Sequence, residues 1–143
     1  MRICGVDLTG SDAVICLLEL DKGQFILPDC RVRKLTLKKA HDTEDLRQFQ
    51  SDFSKLMRDY SVDKAVIRER MPKGKFAGGA VSFKLEAAIQ LINDLDVVIL
   101  SPSQIKSALS DNPLPISFAN TGLKVFQEVA FKAAYAAHFP ADG

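Results

Sequence analysis

Two short apolar runs separated by a segment of helix length constrain this chain most. "DKAVIRE" and "DVVIL" each read as a strand of branched apolar residues, and "GGAVSFKLEAAIQLIND" between them reads as a largely buried helix. Strands without a polar face must be covered on both sides, so a strand, helix, strand series of this kind implies a parallel pair joined by a right-handed crossover. That unit commits the chain to a layered α/β fold.

The flanking segments extend the sheet. Residues 3–8 and 13–20 are apolar, and the "TGSD" cluster between them suits a hairpin turn. Residues 31–37 alternate basic and apolar side chains, as a half-exposed edge strand would, with "DKGQFILPDC" as the longer connection. Leu46, Phe49, Phe53, Leu56, Met57 and Tyr60 recur at intervals of three and four and mark one face of a helix, with Asp42 or Thr43 as its N-cap. Beyond "DVVIL", "SPSQIKSALSD" opens with a helix start signal, "NPLPISFAN" is a proline-punctuated loop, and residues 121–138 make a final helix. The expected order is β-β-β-α-β-α-β-α: a mixed five-stranded sheet flanked by helices, the first strand beside and parallel to the fourth, in one domain over residues 1–143.

Composition limits the class of protein. With 143 residues, 47% hydrophobic and 26% charged, the chain has enough apolar mass for one core. A net charge of +1 leaves the question of a polyanionic partner to local charge distribution. Cys4, Cys16 and Cys30 form no CxxC pair, and the first two sit in apolar runs, so reduced core thiols are expected. The N-terminus lacks signal-peptide character and no run approaches the roughly 20 apolar residues of a membrane span, which points to a cytoplasmic protein without a membrane partner. A homodimer is compatible with the sequence.

The candidate chemistry gathers where strands end. Asp7 lies near the carboxyl end of the first strand and Glu69 at the carboxyl end of the fourth. If these strands are neighbours, about 4.8 Å apart, the two carboxylates face each other and want a shared hard cation, Mg²⁺ or Mn²⁺. Each also has a structural reading: Asp7 as the cap of the following turn, Glu69 as a partner of Arg68 or Arg70. Glu128, in a helix expected to pack back toward the first strand, is the candidate third ligand; its other reading is a surface pair with Lys132. Glu86 and Asp12 are weaker candidates. Arg70, Lys73 and Lys75, on a loop leading to Gly78 and Gly79 at a helix start, suit phosphate oxygens, and Phe76 either stacks on a base or packs beneath the loop.

These stretches resemble a known class. "CGVDLTG" is similar to the opening strand of ribonuclease H-like domains, nearest the RuvC-type resolvases, with Asp7 at the metal-binding position. "AVIRERMPKGKFAGGAVSFKLEAAIQL" resembles their second motif, with Glu69 as the strand-end glutamate, and "SPSQIKSAL" resembles the segment of their active-site lysine, here Lys106. "RERMPKGKFAGGAVSFKLEAAIQL", with "NPLP" and "TGLKVFQE", also looks like a small bacterial family of unassigned function placed in the same superfamily. The resemblance implies a divalent-metal-dependent nuclease acting on DNA or RNA phosphodiesters, with Asp7, Glu69, Glu128 and Lys106 as its catalytic groups. Such resolvases carry two acids three residues apart on the last helix, whereas Val125 and Phe131 flank Glu128 here. That departure favours the alternative, a nucleic-acid-binding or protein-interaction module of the same fold with weakened chemistry. "GVDLTG" is also similar to the first phosphate loop of the ATPases sharing this core, which close a second lobe over the nucleotide that 143 residues do not supply.

Overall fold

The computed structural model describes residues 1–39, 41–71 and 79–139. β1 (Arg2–Thr9) runs through the middle of the sheet, antiparallel to β2 (Asp12–Asp21) and parallel to β5 (Lys64–Arg68). β6 (Asp96–Leu100) lies beyond β5, also parallel, which confirms the crossover and the neighbouring first and fourth strands of the expected order. Buried on both faces, β1 has the near-continuous apolar character such a position demands.

The sheet has six strands, not five, among the described residues. The additional strand, β3 (Gln24–Ile26), lies inside the connection read as a loop. Lys22 and Gly23 take φ values of 51° and 78°, turning the chain straight back so that Gln24 pairs with Asp21. A lysine at the first position of such a turn carries none of the usual Asn-Gly or Asp-Gly signal. The strand expected over residues 31–37 is the shorter β4 (Lys34–Thr36); it pairs with the start of β2 while β3 pairs with its end, so both share one edge.

Helices cover both faces. α1 (Thr43–Asp59) starts at Asp42, whose side chain accepts the Asp45 N–H at 2.9 Å. With α2 (Ala80–Gln90) it buries Phe49, Phe53, Met57, Leu85 and Ile89 against Cys4, Val6, Ala65 and Ile67. The opposite face, carrying Ile3, Val14, Cys16 and Val66, packs on α3 (Pro102–Asp111) and α4 (Glu128–Ala137). α4 begins at Glu128, not at residue 121, because 3-10 turns at Phe118–Thr121 and Val125–Gln127 precede it and Gly122, at φ 80°, breaks the chain direction between them. Cys4 and Cys16 are free and buried, and burial pushes the Cys16 thiol up to about 12, so both behave as the inert apolar groups expected. Among the described residues no helix is long and apolar enough to cross a membrane.

α4 lies unusually close to the sheet. A Cβ built on Gly5 would stand 1.9 Å from the Ala130 carbonyl oxygen, so helix and strand meet backbone to backbone. Ala130, Ala133 and Ala134 supply the small side chains this approach needs. The buried Gln127 fixes the start of the helix, its Nε2 donating to the Ile15 carbonyl at 2.9 Å. At the other end of α3 the Tyr135 hydroxyl donates to the Asn112 carbonyl at 2.9 Å, tying the two helices into one layer. Gly5→Ala is therefore expected to lower unfolding stability by roughly 3 kcal/mol in urea denaturation, since backbone atoms cannot yield as a side chain does.

Candidate nucleic-acid interface and carboxylate site

β1, β5 and β6 all end at one edge of the sheet, and the side chains there are sorted by the two-residue period of the strands. Gly5 pairs with Val66 and Val6 with Ile67, so the position across from Asp7 is Arg68 and not Glu69. Asp7 and Arg68 fall on the α4 face. Glu69, one residue on, falls on the α2 face with Ala65 and Ile67; its N–H still donates to Leu100 at 2.8 Å, so the strand continues its alternation to this point.

The expectation that the two acids face each other thus needs correction: adjacent strands bring their backbones together, and the register turns their side chains to opposite layers. Asp7 is only 6% exposed, and burial pushes its carboxyl up while Arg70 and Arg68 pull it down. Arg70 Nη1 lies 4.0 Å from Asp7 Oδ1, an ion pair without hydrogen-bond contact, and Arg70 Nε is buried with no partner among the described residues. Glu69 is exposed. Its charge is felt instead by Glu86 of α2, whose carboxyl is pushed up first by burial and then by Glu69, with Arg70 opposing. Glu128 opens α4 and pairs with Lys132 at 3.6 Å, the surface arrangement its spacing allowed.

Mg²⁺ and Mn²⁺ require several hard oxygens converging on one point. Among the described residues no three acidic, histidine or cysteine side chains come close enough to hold an ion together, and the one buried acid is faced by two guanidinium groups. Asp7, Glu69 and Glu128 in this arrangement do not fit a shared divalent cation.

A different constellation does assemble. Arg68, Lys106 and Lys132 line one groove of about 260 Å³ between α3 and α4, at the carboxyl ends of β5 and β6. Its apolar wall is Pro102, Ile105, Leu109 and Val129. Lys106 is the lysine that the resemblance of "SPSQIKSAL" singles out, whereas the sequence offers Arg68 and Lys132 only as partners for acids. The pairing of β1 with β5 is what turns Arg68 toward the groove. Of the expected basic loop, Arg70 joins the ion pair with Asp7 and Gly79 is the N-cap of α2, with no side chain to offer. Lys73, Lys75, Phe76 and Gly78 lie outside the described residues.

The arrangement is a mixed α/β fold, and it is similar in fold to solved structures of RuvC. The chain superimposes on Thermus thermophilus RuvC with a TM-score of 0.73 at 11% identity, covering 97% of this chain and 94% of that one. T. thermophilus RuvC in complex with a Holliday junction substrate matches with a TM-score of 0.67, again at 11% identity and over 97% and 94% of the two chains. A Ppx/GppA family member from Aquifex aeolicus matches at 20% identity over 79% of this chain and 41% of its own, with a TM-score of 0.44. No curated protein matches the sequence. The chain belongs to the family described as Protein of unknown function (DUF3010), whose model matches residues 1–137.

Because burial raises the Asp7 carboxyl, its ionisation opposes folding: the native state holds this proton more tightly than the unfolded chain, and stability falls as pH rises through the shifted range. Asp7→Asn removes that penalty. The variant is expected to be more stable than the parent at pH 7, with the difference closing as pH falls toward 4, as read from urea midpoints at each pH.

Proposed function

We propose that this protein binds nucleic acid through the phosphodiester backbone at the carboxyl edge of its sheet, as a module of nuclease-like fold whose acids are not gathered into a metal centre. One observation carries the reading: Arg68, Lys106 and Lys132, from a strand and two helices far apart in sequence, line the same groove. Lys132 is shared with Glu128, and Arg68 lies across from the buried Asp7, which leaves a net positive groove that an anion would stabilise. Neither Arg68 nor Lys106 has an ion-pair partner among the described residues. The likeness of fold to RuvC, one structure of which holds a Holliday junction, supports nucleic acid as the ligand class. That likeness at 11% identity extends to the fold alone.

A second reading, a divalent-metal-dependent nuclease using Asp7, Glu69, Glu128 and Lys106, is favoured by a specific feature. Asp7 is a desolvated carboxylate at the end of a central strand, with burial as the largest influence on its ionisation. Groups perturbed in this way gather at functional sites. The two readings part over turnover, not over binding.

Neutralising a phosphate in this groove gives an expected slope of roughly −0.7 for log affinity against log salt per phosphate contacted on a single strand, and Lys106→Ala should weaken binding and flatten that slope. Fluorescence anisotropy across a salt series measures both. Labelled DNA and RNA incubated with Mg²⁺ or Mn²⁺ should stay intact on a denaturing gel; cleavage that disappears in Asp7→Asn and Glu128→Gln would establish the nuclease instead.

A further inference from the structure

We infer that the groove between α3 and α4 takes one unstacked nucleotide, so that the preferred ligand is single-stranded nucleic acid and not duplex. The inference rests on the nucleic-acid reading above and concerns the same groove. Its two kinds of lining ask for different parts of a ligand. Arg68, Lys106 and Lys132 suit a phosphate, while Pro102, Ile105, Leu109 and Val129 gain nothing from a phosphate and stay wet beside one. A duplex presents phosphates and sugars outward and keeps its bases stacked inside, so it offers the apolar wall nothing of matching size. An unstacked nucleotide presents both, a charged group for the cations and a flat base and sugar for the wall.

Size agrees with this assignment. At about 260 Å³ the groove lies just under the range of ordinary small-ligand sites, which begins near 300 Å³, a size that suits one nucleotide-sized group. The α3 N-terminus does not compete for the phosphate. Ser101 Oγ accepts the Gln104 N–H at 3.1 Å and Gln104 Oε1 accepts the Ser101 N–H at 2.8 Å, a closed capping box. The side chains are then the main source of anion affinity in the groove. Among the described residues the polar side chains lining the groove are Arg68, Lys106 and Lys132, and once the phosphate engages them no amide or hydroxyl side chain is left to read a base edge or the ribose 2′-hydroxyl. Weak base preference and similar affinity for DNA and RNA strands follow.

The test uses the full 143-residue chain. Anisotropy should show oligothymidylate binding about tenfold more tightly than a duplex of equal length, as burial of roughly 50 Å² of base surface against the apolar wall would give. In NMR titrations, thymidine 5′-monophosphate should shift the methyl resonances of Ile105, Leu109 and Val129, and inorganic phosphate should not. Val129→Trp, which fills the groove and keeps its cations, should lower single-strand affinity about tenfold, the loss of roughly 50 Å² of apolar contact with the base. Equal affinity for strand and duplex, or methyl shifts identical with phosphate, overturns the inference while the backbone-binding reading stands. Absence of salt-sensitive binding to any nucleic acid overturns both. The titrations use the parent chain, so a Val129→Trp protein that fails to fold does not remove the decision.

Discussion

The contact between Gly5 and the backbone of α4 organises the carboxyl edge of the sheet. With no side chain between them, helix and strand approach until a Cβ would fall 1.9 Å from the Ala130 oxygen, and the dispersion contacts of a close interface replace those of larger side chains. The alanines of α4 are the matching half of this arrangement. Once α4 is held there, its first turn must lie over the end of β1, where Gln127 satisfies its buried amide on Ile15. α3 then packs alongside, and the space between the two helices is the cationic groove.

The same geometry explains how so small a region keeps Asp7 and Glu69 apart. Strand β5 leads into the run Arg68, Glu69, Arg70, and alternation sends the arginines to the α4 side and the glutamate to the α2 side. Asp7 is thereby buried among positive groups, with its desolvation partly offset by Arg70 and Arg68. Glu69 meets Glu86, a like charge, on the other layer. Glu69 is thus set on the opposite layer from Asp7, and Glu128, at the start of α4, pairs with Lys132.

The fold was legible because it depends on patterns that repeat. The apolar runs of β5 and β6, the helix period from Leu46 to Tyr60 and the cap at Asp42 each state their structure several times over. β3 escaped because three residues leave too short a pattern and its turn uses Lys22 where a signal residue would stand. The start of α4 escaped because the 3-10 turns before it share its spacing of three and four.

The sequence by itself determined the layers, the central parallel pair and the edge at which charged groups would gather, since burial and side-chain period are local properties of the chain. Only the tertiary structure decided which charged groups meet. The register of β1 against β5 sets Arg68, and not Glu69, across from Asp7, and a shift of one residue would reverse every assignment at that edge. The meeting of Lys106 and Lys132 with Arg68 likewise follows from helix packing at Gly5, a contact made between residues more than a hundred positions apart that no local pattern records.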